Sequence, residues 1–273
     1  MHTPKDGETM NYLDFISQTL NRAAEIARSN FGKVTGVTKT GDSNQVLTET
    51  DLAIGQLIVT AVQEKFPEHN IIDEEAGVID RGADYTWVID PIDGTSNFAA
   101  GLPTYGIMLG LIQGNKPIAG GIALPAFNEI FLAQRGGGAS CNGRPLKLND
   151  QDKLIKTLVA YQIDGHQENP EMTRNECRIL ANLVLNIRNL RSNNSVFDTA
   201  AFLKGAYGGC LNQTSKIWDN VAPHIIVEEA GGVYTDFFGN PITYDNPTAL
   251  AEMNFTNCIA TKKLFAELQR VVS

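Results

Sequence analysis

The stretch WVIDPIDGTSNF, Trp87 to Phe98, restricts this chain more than any other. Its apolar start reads as a strand, yet the strand closes on two aspartates, Asp90 and Asp93, that bracket Pro91. A strand interior has no use for such a pair. Proline fixes its own φ and offers no amide donor, so ladder pairing is expected to stop at Pro91. Gly94 then allows a tight turn, and GTSNF reads as the start of a helix with Thr95 or Ser96 near its cap. Backbone amides of Gly94 and Thr95 at a helix start make a ready site for a phosphate. The two carboxylates beside it would repel that phosphate unless cations lay between. Acidic oxygens completed by a substrate phosphate form the shell that Mg2+ favours.

One Asp-x-x-Asp pair is weak, because turns and caps supply most such pairs. The signal accumulates along the chain. Glu74 and Glu75 follow the short apolar run NIID, and Asp219 follows Trp218 at the start of a helical pattern. Neighbouring strands that end in acids bring their carboxylates to one sheet edge, and cations turn the cost of that crowding into binding. Asp51 lies in the first turn of another helical pattern, where a dipole-stabilising acid is the simplest reading.

Other chemistries find less support. The sequence has no GxSxG elbow and no GxGxxG after a strand. Gly36 and Gly41 have the separation of a phosphate-binding loop, but Asp42 stands where that motif needs lysine. His2, His69, His166 and His224 fall outside every constellation and lack zinc-ligand spacing. With 22 basic against 31 acidic residues and no basic run, a nucleic-acid partner is not expected. Cys141, Cys177, Cys210 and Cys258 are scattered without a CxxC pair, which suits free thiols in a cytoplasmic protein. No apolar run approaches the length of a membrane span, so no membrane partner is expected.

Helical periodicity covers Asn11 to Phe31, with Gly32 as its stop, and about Thr50 to Phe66 before Pro67. Between them GKVTGVTKTGDSNQ reads as a mobile loop or a loose hairpin. Tyr105 to Arg135 alternates β-rich runs with turn signals, an antiparallel meander. Beyond a polar stretch at 150–156, helical patterns at about 170–186 and 196–207 interleave with strand-like GGCLNQ, VYTDF and NCIAT, and KLFAELQRVV closes the chain as a helix. The organisation expected is a mobile extension over 1–10, an α+β half over 11–150 that binds metal and phosphate, and an α/β half over 151–273 that completes the site.

DPIDGTSNF resembles the first signature of the inositol monophosphatase family, Mg2+-dependent and lithium-sensitive phosphomonoesterases, and WDNVAPHIIVEEAGG resembles the second. LTETD, DEEAG and NCIATKKLF fall in the family's order as well, so the likeness covers nearly the whole chain after its N-terminal segment. The resemblance implies a layered α-β-α-β-α sandwich of the sugar-phosphatase type, commonly a homodimer. It implies that Glu74, Asp90 and the Ile92 carbonyl hold one Mg2+, that Asp90, Asp93 and Asp219 hold a second, and that Glu74 helps a weaker third. Thr95, hydrogen-bonded to Asp51, would orient a metal-activated water for in-line attack on phosphorus. Gly94 and Thr95 amides would bind the phosphate, and Lys39 matches a lysine placed near the active site.

The departures bear on the substrate. Inositol-specific members carry a glutamate shortly before the Trp-Asp pair; here Asn212 or Gln213 stands nearby. NNSVFDTAA lacks the usual glycine, with Asn194 and Ser195 as replacements, and Pro223 interrupts the small-residue run after Asp219. A small phosphate monoester is therefore expected, inositol monophosphate or a related sugar or polyol phosphate. Fructose bisphosphate, histidinol phosphate, a nucleotide 3′-phosphate and NADP phosphate belong to relatives with the same metal core. A regulatory, protein-binding role on the same fold is the alternative of another class.

Overall fold

Helix α1 (Tyr12–Asn30) forms where the apolar spacing predicts it, and it buries Ile16, Leu20, Ala23, Ala24 and Ala27. The computed structural model describes residues 12–33, 35–38 and 46–273; the N-terminal extension and Lys39 lie outside them. A short pair, β1 (Val37–Thr38) and β2 (Val46–Leu47), precedes helix α2 (Glu49–Lys65).

The first sheet takes its strands from one continuous stretch: β3 (Asn70–Asp73), β4 (Gly77–Ile79), β5 (Tyr85–Asp93), β6 (Gly106–Gln113), β7 (Lys116–Leu124), β8 (Glu129–Gln134), β9 (Ala139–Cys141) and β10 (Arg144–Pro145). Their order is β10-β9-β8-β7-β6-β5-β3-β4. The meander expected from Tyr105 onward is β6 to β8, paired antiparallel. The five-residue helix α3 (Thr95–Ala99) links β5 to β6.

The second sheet is built from β11 (Leu158–Gln162), β12 (Asn189–Arg191), β13 (Tyr207–Ser215), β14 (Gly232–Thr235) and β15 (Phe255–Thr261), in the order β12-β11-β13-β15-β14. Helices α4 (Pro170–Asn186), α5 (Val196–Leu203), α6 (Ile217–Glu229) and α7 (Phe265–Val272) alternate with these strands. The α5 pattern stops four residues before its expected end, because Gly205 turns the chain at φ 76°.

Layering follows from what each helix touches. α1 and α2 pack on one face of the first sheet, α5 and α6 lie between the sheets, and α4 with α7 covers the second sheet. This is the α-β-α-β-α sandwich. The middle layer sits close because glycines face it: a Cβ at Gly110 would lie 2.6 Å from Val221 Cγ1, and one at Gly120 2.8 Å from Ile225 Cγ2. Pro223 lies inside α6 and is buried without ending it. Among the described residues no helix is long and apolar enough to cross a membrane.

Candidate active site

The strand does not stop at Pro91. β5 pairs with β6 at Asp90↔Met108 and again at Asp93↔Gly106, so three steps on β5 match two on β6. That is a β-bulge with one extra residue. Residues three apart on a regular strand face opposite sides. The bulge corrects the parity and brings Asp90 and Asp93 to the same end. Proline is accommodated because bulged residues need not donate to the ladder.

Asp219 arrives from the other side, in the first turn of α6. Asp90, Asp93 and Asp219 each present an oxygen within 4.8 Å of the others, a group able to hold a cation. Burial, then the charges of Glu74, Asp93, Asp219 and Asp51, holds the Asp90 carboxyl well above the usual carboxylate range. Burial and Asp219 do the same for Asp93, opposed by the hydrogen bond that the Val196 amide donates to it. The Asp219 carboxyl is pushed up to about 6 by burial, against the Lys216 amide that bonds it. Asp90 Oδ1 is buried with no hydrogen-bond partner. An unpartnered buried carboxylate oxygen in a crowd of acids is expensive unless a cation completes it, so these residues fit a metal.

Asp51 has two tasks, one for each oxygen. Oδ2 accepts from the Thr48 amide at 2.9 Å and from the Thr48 hydroxyl, closing the capping box of α2. Oδ1 accepts from the Thr95 hydroxyl at 3.0 Å. The helix-cap reading therefore holds, and the bond to Thr95 that the family resemblance implied is present beside it. The cap of α3 is Gly94, at φ 81° and without a side-chain bond, rather than Thr95 or Ser96. The Thr95 hydroxyl turns back instead, lying 2.8 Å from the Ile92 carbonyl.

Glu74, Asp90, Ile92, Asp93, Gly94, Thr95 and Asp219 line one cavity of about 490 Å3. Glu74 stands on it outside the close trio of aspartates. Of the two amides considered for the substrate, Asn212 lines the cavity, whereas Gln213 points the other way along β13 and donates to the Tyr161 hydroxyl. Ser195 is buried behind the wall, its hydroxyl donating to the Thr104 carbonyl at 2.9 Å and capping α5. Asn194 replaces the absent glycine at φ 50° and reaches the cavity. His166, set aside in the sequence, also lines it, together with Gln162, Asp164 and Asn257. The sequence held no signal for His166, whose partner Glu176 lies in α4.

Three converging carboxylates share one cavity with the Thr95 hydroxyl, which Asp51 holds from behind, an arrangement suited to a phosphoric monoester hydrolase. The sequence profile described as the inositol monophosphatase family matches residues 9–272, and the chain belongs to that family. It is 32% identical over 249 residues to inositol monophosphatase 1 of Solanum lycopersicum, covering 86% of this chain and 88% of that protein. It is 34% identical over 205 residues to the Nus factor SuhB of Pseudomonas aeruginosa, covering 73% of this chain and 75% of the other. An IMPase structure from Thermotoga maritima superposes with a TM-score of 0.84 at 27% identity, over 96% of this chain and 97% of that one.

Proposed function

We propose that this enzyme hydrolyses inositol monophosphate or a related small polyol or sugar phosphate with Mg2+ as its cofactor. The observation that carries the reading is the convergence of Asp90, Asp93 and Asp219 within 4.8 Å. Asp90, Asp93 and Asp219 would hold one ion, Glu74, Asp90 and the Ile92 carbonyl another, and Glu74 a weaker third. When bound, Mg2+ lowers the pKa of a water and offsets charge on the phosphate and the departing alkoxide.

The chain's own residues do the rest. Asp51 fixes the Thr95 hydroxyl through Oδ1, so the hydroxyl's lone pairs can accept a hydrogen bond from the attacking water and orient it. With that single hydroxyl proton on Asp51, the Ile92 carbonyl keeps its lone pairs for a cation. Amides at the start of α3, from Gly94 and Thr95, receive the phosphate oxygens. Asn212 and Asn194 face the alcohol half of the substrate. Lys39 belongs to the same reading as a contact from outside the described residues. A cytoplasmic homodimer inhibited by lithium completes it.

The test is phosphate release with and without Mg2+ on inositol 1-phosphate, fructose 1,6-bisphosphate, histidinol phosphate and a nucleotide 3′-phosphate. Metal-dependent turnover of the first far above the others is the expected result. Similarity to a protein named a Nus factor favours a second, regulatory role. An Asp93→Asn variant without turnover that still complements loss of the gene would support that role.

A further inference from the structure

His166 leaves β11 at the edge of the cavity and is held from behind. Its Nε2 lies 3.0 Å from Glu176 Oε2, and its backbone amide donates to Thr173 Oγ1 at 2.8 Å. Glu176 is fully buried on α4, and its other oxygen, Oε1, has no hydrogen-bond partner. A buried carboxylate with one polar partner commits that partner strongly. With Nε2 engaged, Nδ1 is the ring nitrogen left to meet a ligand. Nothing among the described residues bonds it.

The surroundings specify what that ligand is. Around His166 the cavity presents Gln162, Asp164, Asn194, Asn212 and Asn254. These are amides and one carboxylate, linked by Asn194 Nδ2 to Asp164 Oδ1 and by Asn212 Nδ2 to Gln162 Oε1, both at 2.8 Å. The polar positions left over, such as Asp164 Oδ2 and the second Asn212 N–H, suit hydroxyls. Among the described residues, the Lys, Arg and His side chains on the cavity are His166 and Lys216, and the Lys216 ammonium donates to the Glu252 carbonyl at 2.6 Å. A second phosphate would find no arginine fork there and would face Asp164.

We propose that His166, aimed by Glu176, hydrogen-bonds a hydroxyl of the leaving alcohol through Nδ1, and that this alcohol is hydroxyl-rich and bears no second phosphate. His166 is thereby a specificity-determining residue, and Glu176 positions it. The inference rests on the phosphatase reading above and narrows its substrate class.

Inositol 1-phosphate and cyclohexyl phosphate share a ring and an ester bond, but the second lacks hydroxyls. Steady-state kinetics with Mg2+ on both esters, and on fructose 1,6-bisphosphate against fructose 1-phosphate, test the proposal. His166→Ala should raise KM for inositol 1-phosphate about tenfold, one hydrogen bond's worth, with kcat little changed and cyclohexyl phosphate unaffected. Glu176→Gln, which keeps the shape and removes the charge, should move the same KM in the same direction by less. The bisphosphate should gain nothing over the monophosphate. Equal losses on both ring esters, no loss on either, or a preferred bisphosphate would overturn the assignment while leaving the hydrolase intact. A wild-type protein inactive on every ester would instead remove the phosphatase reading, and this inference with it.

Discussion

A Cβ placed on Gly94 would lie 2.8 Å from the Ser195 Cβ, closer than carbon atoms approach. The residue that caps α3, where the phosphate is proposed to bind, is thus pressed against the residue that caps α5. Gly94 also sits at φ 81°, where an L side chain is strained. Gly94→Ala should lower kcat/KM at least about 100-fold and destabilise the protein by about 1–3 kcal/mol. Paired kinetics and thermal melts check this; near-normal activity would mean the wall can move.

Asp93→Asn keeps the side-chain shape and can still accept from the Val196 amide. It removes a charge from a crowd that burial and Asp219 already strain. The metal-free variant should be at least as stable as the wild type. Turnover should fall about 1000-fold or more, and the rise in melting temperature on adding Mg2+ should vanish. A persisting Mg2+ shift would remove Asp93 from the ligand set.

Thr95 separates hydroxyl from shape. Thr95→Ser retains the donor to Asp51 and should keep most of the activity. Thr95→Ala removes it and should lower kcat about 100-fold with little change in Mg2+ half-saturation. Asp51→Asn should add a stability loss of about 1 kcal/mol through the weakened α2 cap, read as a lower melting temperature.

The carboxyls of the trio predict opposite pH responses with and without metal. Folding raises the Asp90 and Asp93 carboxyls and pushes Asp219 to about 6, above the value near 4 of an unfolded aspartate. The metal-free fold therefore keeps protons that the unfolded chain releases. Its stability from these groups is fully present below about pH 4 and is lost as pH rises through the folded values. Mg2+ must displace those protons, so the difference between melts in Mg2+ and in EDTA should be small at pH 5 and large at pH 8. A pH-independent difference would contradict the assignment.

Asn220 is buried beside Asp219 with its amide fully used. Its oxygen accepts from the Tyr234 hydroxyl at 2.7 Å and from Asn257 at 3.2 Å, and its nitrogen donates to Ser215 Oγ at 2.9 Å and to the Lys216 carbonyl. These bonds fix the start of α6 and, with it, Asp219. Asn220→Ala should raise the Mg2+ concentration for half-maximal activity several-fold, beyond any change in kcat at saturating metal. An unchanged metal requirement would make Asn220 structural only.

Much of the fold was legible in the sequence because the signals are local. The α1 periodicity, the meander and the alternation of the second half each depend on residues close in the chain. The converging trio of aspartates was legible through the types and order of its acids. What escaped needed partners distant in sequence. Pro91 looked like the end of a strand because the bulge is defined only by the register of β6. Asn212 and Gln213 could not be told apart until the pleat of β13 assigned their faces. His166 looked inert because Glu176 meets it only when α4 folds back on the second sheet. Asp51 showed its cap in the local sequence, whereas its bond from Thr95, 44 residues away, was expected only through the family resemblance.

The bulge between Asp90 and Asp93 also separates two kinds of change that mutation could bring. Residues 90–95 form one continuous stretch, whereas Gln162, Asp164, His166 and Asn212, which also line the cavity, come from the end of β11, the segment after it and β13. Descendants of this chain could exchange one polar side chain for another at 162, 164, 166 or 212 and handle a different ester with the same hydrolytic step. Straightening the bulge with the two aspartates still three residues apart would turn one of them to the opposite face and end catalysis on every ester at once. Tolerance to change is therefore wide on one wall of the cavity and almost nil on the other.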